Sequence, residues 1–86
     1  MNIVFSEKAE KDLDAMDGTV RSFFFKHAEK IAQMPPRRHM RFGLPFNVVN
    51  VTDQARLIYY VEVETLFVLR CFDKHKDYEK WYKTFQ

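Results

Sequence analysis

Residues 54–72, QARLIYYVEVETLFVLRCF, hold two runs of β-branched and aromatic residues separated by a short acidic stretch. From Arg56 to Val63 successive side chains alternate between two faces, which is the period of a β-strand. A second strand is predicted from Leu66 to Phe72, after a turn at Glu64-Thr65. The faces of the first strand are Leu57, Tyr59, Val61 and Val63 on one side and Arg56, Ile58, Tyr60 and Glu62 on the other. Two strands with so short a connection predict an antiparallel hairpin.

The segments outside this hairpin predict two further strands. Residues 46–51 are rich in β-formers, and Thr52-Asp53-Gln54 is a plausible turn into the hairpin. These three consecutive strands predict an antiparallel meander. Near the start of the chain, Asn2 to Phe5 is short, apolar and β-branched, and it predicts one more strand.

Helical spacing dominates between the first strand and the meander. Ser6 is a good N-cap, and Asp17-Gly18-Thr19 separates two helices, the second of which ends at Pro35-Pro36. The apolar stripe of the first helix is Ala9, Leu13 and Met16, and that of the second is Val20, Phe24, His27, Ile31 and Met34. In the tail, residues 73–86, aromatic residues at helical steps predict a short C-terminal helix.

The element order is therefore β-α-α-β-β-β followed by a short C-terminal helix, which predicts an α+β fold. The antiparallel meander is expected to pack against the helical hairpin, because a sheet with two helices on one face buries both sets of apolar stripes. The 86 residues suffice for one compact unit, so residues 1–86 are predicted to form a single domain.

Composition excludes several classes of protein. Hydrophobic residues make up 47% and charged residues 30%, which is typical of a folded soluble chain. The one cysteine, Cys71, excludes an internal disulfide framework and a thiolate metal cage. No secretory signal is visible, and no apolar run approaches the ~20 residues that cross a bilayer, so we expect a cytoplasmic protein without membrane contact. Without a metal-ligand spacing, a Walker loop or a dinucleotide fingerprint, no cofactor is expected.

Basic residues concentrate in the later part of the chain. Residues 1–34 carry six acidic and five basic side chains, whereas residues 35–86 carry six acidic and nine basic ones. An anion-binding surface is therefore expected in the second part. One basic run follows the two prolines and comprises Arg37, Arg38, His39 and Arg41. Its composition suits RNA phosphate contacts, and a solvated loop is the equal alternative.

An arginine of the predicted hairpin leads to a candidate active site. If the hairpin turns near Glu64-Thr65, Arg56 falls opposite about Asp73, beside the run Asp73-Lys74-His75-Lys76 and close to Tyr78 to Tyr82. Arginine and lysine bind phosphate oxygens, a histidine can move a proton near neutral pH, and tyrosine rings stack on unpaired bases. The alternative is a solvated basic face, because acidic residues are interleaved in the same run.

Several stretches resemble the RelE/ParE toxins. They are the short Gly43-Leu44-Pro45 link, Gln54-Ala55-Arg56-Leu57-Ile58-Tyr59 and Phe72-Asp73-Lys74-His75-Lys76-Asp77-Tyr78, together with the order of the elements. The likeness spans nearly the whole chain. It implies a RelE/ParE-like fold and a microbial toxin that an antitoxin holds inactive. RelE-like members cleave mRNA in the ribosomal A site, whereas ParE-like members poison DNA gyrase and are not nucleases.

The resemblance also implies roles for individual residues. The strand arginine of the family looks like Arg56, and the basic residue after its last strand looks like Lys76. Its C-terminal tyrosine looks like Tyr82 by straight spacing, or like Tyr78 by the local His-Lys-Asp-Tyr pattern. Some relatives use a C-terminal histidine as acid or base, and His75 resembles it.

The favoured function is the toxin of a type II toxin–antitoxin system, a ribosome-dependent mRNA endoribonuclease in which a ribose 2′-hydroxyl attacks the adjacent phosphate. The candidate catalytic residues are Arg56, His75, Lys76, Tyr78 and Tyr82, and the candidate RNA-binding residues are Arg37, Arg38, His39, Arg41 and Lys74. The expected partners are mRNA in the ribosomal A site and a cognate antitoxin, a small acidic helical protein. Its helix would cover surplus aromatic surface at Phe23 to Phe25 and at Trp81, Tyr82 and Phe85. A homodimer is left open.

One departure from the family favours a different function. RelE-like members often carry lysines on the first meander strand, where this chain has Asn47 and Val49. This departure supports the alternative of a ParE-like gyrase inhibitor without nuclease activity. A third alternative is a non-catalytic RNA-binding module that uses the same basic end.

Overall fold

The computed structural model describes residues 1–33 and 46–85, which form four strands and three helices. They are β1 (Asn2–Phe5), α1 (Glu7–Asp14), α2 (Gly18–Gln33), β2 (Asn47–Asn50), β3 (Arg56–Glu62), β4 (Thr65–Phe72) and α3 (His75–Lys83). The predicted α+β class and order of elements are confirmed. Within the described ranges, each helix is too short or too polar to span a membrane.

The four strands form one mixed sheet in the order β1-β4-β3-β2. Strands β2, β3 and β4 are consecutive antiparallel neighbours, so the predicted meander is confirmed. Strand β1 lies at the free edge of β4 and pairs with it in parallel, from Asn2 opposite Thr65 to Phe5 opposite Val68. Strand β4 therefore has a neighbour on both sides in its first half.

The register of the hairpin differs by one residue from the prediction. The turn between the two strands lies at Val63-Glu64, one residue earlier than the predicted Glu64-Thr65. An irregularity in β4 at Leu69 then shifts the pairing of the residues beyond it. As a result Arg56 lies opposite Phe72, not Asp73. Val63 has a positive φ of 56°, a backbone conformation that is strained for a β-branched residue.

One face of the sheet is covered by α1 and α2, as the apolar stripes predict. Its core contains Leu13 of α1, Phe24 of α2 and Leu57 of β3, each at most 4% exposed. The start of α1 is tied to the sheet by Ser6, whose Oγ accepts the Ala9 N–H at 3.0 Å and donates to the Leu69 carbonyl at 2.7 Å. The N-cap predicted from sequence therefore also joins the helix to β4.

The opposite face is covered by α3. Neighbouring residues of a strand point to opposite sides of a sheet. Accordingly, Ile58 packs not with the α1–α2 core but in a second cluster with Phe46, Phe72 and Tyr78. Trp81 contacts this cluster, with ring centroids 5.0 Å from Phe46. The short terminal helix therefore shields the second apolar face of the meander.

The carboxylate of Asp12 in α1 binds the part of β4 that does not pair with β1. The last pair of those two strands is Phe5 with Val68. Beyond it, Asp12 accepts hydrogen bonds from Arg70 Nε at 2.7 Å, from Arg70 Nη2 at 3.0 Å and from the Cys71 N–H at 3.0 Å. One side chain thus satisfies a backbone donor and a guanidinium, which fixes α1 against the C-terminal half of β4.

Candidate active site

Arg56 is the first residue of β3 and lies between Asn50 of β2 and Phe72 of β4. Its Nη1 donates to the carbonyl oxygens of Thr52 at 3.1 Å, Asp53 at 3.1 Å and Ala55 at 3.0 Å. The guanidinium is therefore held against the β2–β3 turn by neutral acceptors. In residues 1–33 and 46–85 no carboxylate forms an ion pair with it, so its positive charge remains uncompensated by a direct partner.

The start of α3 lies beside this turn. The backbone N–H of His75 donates to Gln54 Oε1 at 3.4 Å, and Gln54 is only two residues before Arg56. Lys74 occupies the N-cap position with extended backbone angles, and Lys76 follows in the first turn; both side chains are exposed. The Arg56 end of β3 and the cationic start of α3 are thus neighbours.

Within α3, the ring of His75 contacts the carboxylate of Glu79, one helical turn later. The two atoms, His75 Nδ1 and Glu79 Oε1, are 2.7 Å apart. The side chains of His75 and Glu79 are 38% and 48% exposed, so the pair lies at the surface and solvent reaches the ring. Sequence reasoning missed Glu79, although the spacing of four residues on a predicted helix was a usable signal.

The two candidate tyrosines differ in burial. Tyr78 is 5% exposed and packs among Phe46, Ile58 and Phe72, which makes it part of the core beneath α3. Tyr82 is only partly buried, and its ring centroid lies 6.0 Å from that of Tyr78. The assignment of either as acid or base stays a prediction, and accessibility favours Tyr82.

Of the predicted site residues, the structure brings Arg56, Lys74, His75 and Lys76 to one end of the sheet, with Tyr78 and Tyr82 along the following helix. Arg37, Arg38, His39 and Arg41 lie outside the described residues. The expectation that this second basic run contacts RNA therefore stays a prediction.

Electrostatics distinguish the neighbouring groups on β4. The hydrogen bonds between the guanidinium of Arg70 and the carboxylate of Asp12 raise the pKa of Arg70, which already carries a permanent charge. Burial raises the pKa of the Cys71 thiol to about 12. A thiol that stays protonated at neutral pH is a poor nucleophile. Cys71 therefore acts as a small core residue, as its position in the strand indicates.

A cleft of about 290 Å³ lies between α1 and the β4–α3 connection. Its polar walls include Lys11, Asp12, Arg70, Asp73 and Asp77, whereas neither Arg56 nor His75 lines it. Among the described residues, no group of three histidine, cysteine, aspartate or glutamate side chains is arranged to hold a metal ion.

The sequence and the fold were compared with those of known proteins. No family model and no curated protein matches the sequence. Solved structures do match. The isolated E. coli RelE toxin has a TM-score of 0.69 at 20% identity, over 99% of this chain and 98% of its own. The toxin–antitoxin complex RelBE2 from Mycobacterium tuberculosis gives 0.72 at 18% identity, over 86% and 91%.

The YoeB-YefM complex from Staphylococcus aureus gives 0.64 at 16% identity, over 83% of this chain and 93% of the matched one. The three matches cover 83–99% of this chain and 91–98% of the matched chains, so the similarity extends over most of the sheet and helices. The chain has the fold of the RelE and YoeB toxins.

Proposed function

We propose that this protein is the toxin of a type II toxin–antitoxin system and acts in the cytoplasm as a ribosome-dependent mRNA endoribonuclease. The observation that carries the proposal is the placement of Arg56. Its guanidinium has only backbone carbonyls as partners among the described residues, and it lies next to the cationic start of α3. The positive charge of an arginine whose acceptors are neutral is not compensated, so it can attract an incoming phosphate.

The bond-breaking step balances without an oxidant, a reductant or a further co-reactant. The 2′-oxygen forms a bond to the adjacent phosphorus while the bond from phosphorus to the 5′-oxygen breaks, which yields a 2′,3′-cyclic phosphate and a 5′-hydroxyl. A base takes the proton of the 2′-hydroxyl, and an acid supplies one to the leaving 5′-oxygen. Positioning and charge stabilisation are the main tasks left to the protein.

The described residues offer a candidate for each task. Arg56 and Lys76 would stabilise the charge that develops on the phosphate oxygens, and Lys74 would anchor the RNA backbone. His75 is solvent-accessible and suits the role of acid or base. Tyr82 is the better tyrosine for the second proton transfer, because Tyr78 is largely buried.

An antitoxin is the proposed protein partner. Three exposed aromatic side chains support it, namely Phe23 at 38%, Phe25 at 42% and Phe85 at 49% exposure. Trp81 and Tyr82, by contrast, are partly covered within the chain itself. Matched structures include RelE and YoeB chains in complex with antitoxins, and an amphipathic helix is a suitable cover for such aromatic surface.

The second candidate function is gyrase inhibition without chemistry. It is favoured by β2, because Asn47 and Val49 provide no cation there and both are at least partly buried. A supercoiling assay with purified gyrase separates the two functions. Inhibition of supercoiling, together with intact mRNA on ribosomes, would replace the nuclease proposal.

The direct test maps mRNA 5′ ends on ribosomes after induced expression of the wild-type protein and of Arg56→Ala. We expect new in-frame ends for the wild-type protein and few for the variant. Lys26→Ala, an exposed cation of α2, is the matched control and should behave as wild type. Identical end profiles with and without induction of the wild-type protein would contradict the proposal.

A further inference from the structure

His75 was predicted from sequence as a site residue, whereas its contact with Glu79 was not. We propose that Glu79 is a positioning residue: it fixes the ring of His75 with the proton on Nδ1 and so leaves Nε2 to exchange protons with RNA. This inference rests on the proposed nuclease function and adds an orienting carboxylate to it.

The short contact defines which ring nitrogen carries the proton. An ionised carboxylate only accepts hydrogen bonds, so at 2.7 Å the Glu79 oxygen requires a hydrogen on His75 Nδ1. A neutral imidazole has one N–H, and the other nitrogen is then the acceptor. Glu79 therefore selects the tautomer in which Nε2 can take a proton.

The backbone and the ring of His75 are also held in place. Its N–H donates to Gln54 Oε1 at 3.4 Å, which ties the first residue of α3 to the β2–β3 turn. Its ring centroid lies 5.8 Å from that of Tyr78, a buried residue of the core. The backbone, the ring and Nδ1 of His75 thus each have a contact within the described residues.

The charged groups around His75 come from two elements. On α3 they are Glu79 in direct contact, the exposed side chain of Lys76 and, at the N-cap, Lys74. The β2–β3 turn that packs against the start of the helix carries Asp53 and Arg56, and Arg56 donates to the carbonyl of Asp53. Glu79 is the carboxylate that contacts the ring, so removal of Glu79 should act on the tautomer directly.

The first test observes the ring itself and does not require RNA. Long-range ¹H–¹⁵N correlation spectra of the histidine rings would be recorded at a pH where His75 is neutral, and a His75→Asn variant would assign its signals. We expect the Nδ1-protonated tautomer in the wild-type protein and a shift towards the Nε2-protonated tautomer in Glu79→Ala. Glu79→Gln retains an acceptor oxygen and should keep the wild-type tautomer. The same tautomer in wild type and Glu79→Ala would overturn the proposal.

The second test measures single-turnover cleavage of mRNA on programmed ribosomes. We expect Glu79→Ala to lower the rate constant roughly 10- to 100-fold at unchanged apparent affinity, with a smaller loss for Glu79→Gln. Glu29→Ala, which removes an exposed carboxylate of α2, is the matched control and should leave the rate unchanged. An ordinary surface ion pair would alter stability slightly and leave the rate unaltered.

The outcomes distinguish this inference from the function on which it rests. No cleavage by the wild-type protein would overturn the proposed nuclease and, with it, this role of Glu79. Cleavage by the wild-type protein at a rate that Glu79→Ala retains would overturn the role of Glu79 alone.

Discussion

Two arginines on adjacent strands, Arg56 of β3 and Arg70 of β4, have opposite surroundings. Arg70 donates two hydrogen bonds to the carboxylate of Asp12, and its guanidinium lies 4.7 Å from the ring centroid of Phe72. Among the residues that the structure describes, Arg56 donates only to carbonyl oxygens of its own turn. A guanidinium that binds a carboxylate through two hydrogen bonds has little capacity left for a phosphate. The positive charge of a guanidinium that binds only neutral acceptors is not compensated and remains available to a phosphate.

The contrast indicates a structural role for Arg70 and supports the ligand-binding role proposed for Arg56. A basic residue that already pairs with a carboxylate is a weaker candidate for a phosphate contact than one that does not.

The strongest way to break this contrast is to remove each guanidinium in turn. We expect Arg56→Ala to lower single-turnover cleavage of mRNA by about one to three orders of magnitude with the fold intact, because transition-state charge loses its main partner. Arg70→Met, which retains much of the apolar volume, should change the rate much less and act on stability. Circular dichroism and thermal unfolding would check that both variants fold. Equal loss of cleavage in the two variants would contradict the distinction.

The next test removes the carboxylate that neutralises Arg70. Asp12→Ala leaves the Arg70 guanidinium and the Cys71 N–H without their partner, so we expect the free energy of unfolding to fall by about 1–3 kcal/mol. Urea denaturation would measure the change. Asp14→Ala, an exposed residue two positions later on α1, is the matched control and should stay within about 0.5 kcal/mol of wild type.

The pH dependence of stability tests whether the thiol of Cys71, the residue after Arg70, is buried. Burial raises the pKa of Cys71 from 9.0 to about 12, so above pH 9 the unfolded chain releases a proton that the folded chain retains. This contribution to stability is complete below pH 9 and is lost as the pH rises, by about 1 kcal/mol at pH 10. Denaturation curves of wild type and Cys71→Ala at pH 7 to 10 would isolate it. If the difference between the two proteins did not vary with pH, the thiol would not be the source.

The smallest expected effect concerns the turn that sets Arg56 opposite Phe72. Val63 has a φ of 56° and is 91% exposed, so its side chain contributes strain and almost no packing. We expect Val63→Gly to increase the free energy of unfolding by about 0.5–1 kcal/mol, because glycine adopts positive φ freely. Thermal unfolding would detect the gain. Destabilisation would indicate that the turn relies on the valine side chain.

The sequence was most informative where patterns are local. The alternation from Arg56 onwards and the N-cap at Ser6 predicted elements that the structure contains, with boundaries shifted by one or two residues. The proximity of Arg56 to the start of α3 followed from the hairpin, because a short connection limits which strand ends can meet. The error in register arose at the turn, which lies one residue earlier than predicted, and the irregularity at Leu69 of β4, which has no signature in composition, reduced the resulting shift to one residue.

Sequence patterns alone determined the α+β class, the order of the elements and the proximity of Arg56 to the basic start of the last helix, because periodicity and short loops act over a few residues. Only the tertiary structure decided that β1 joins β4 in parallel, that Asp12 neutralises Arg70 across 58 positions, and that Tyr78 is buried whereas His75 is accessible. These features depend on how separate elements pack. Burial and long-range pairing follow from the free energy of the whole fold, which no local pattern encodes.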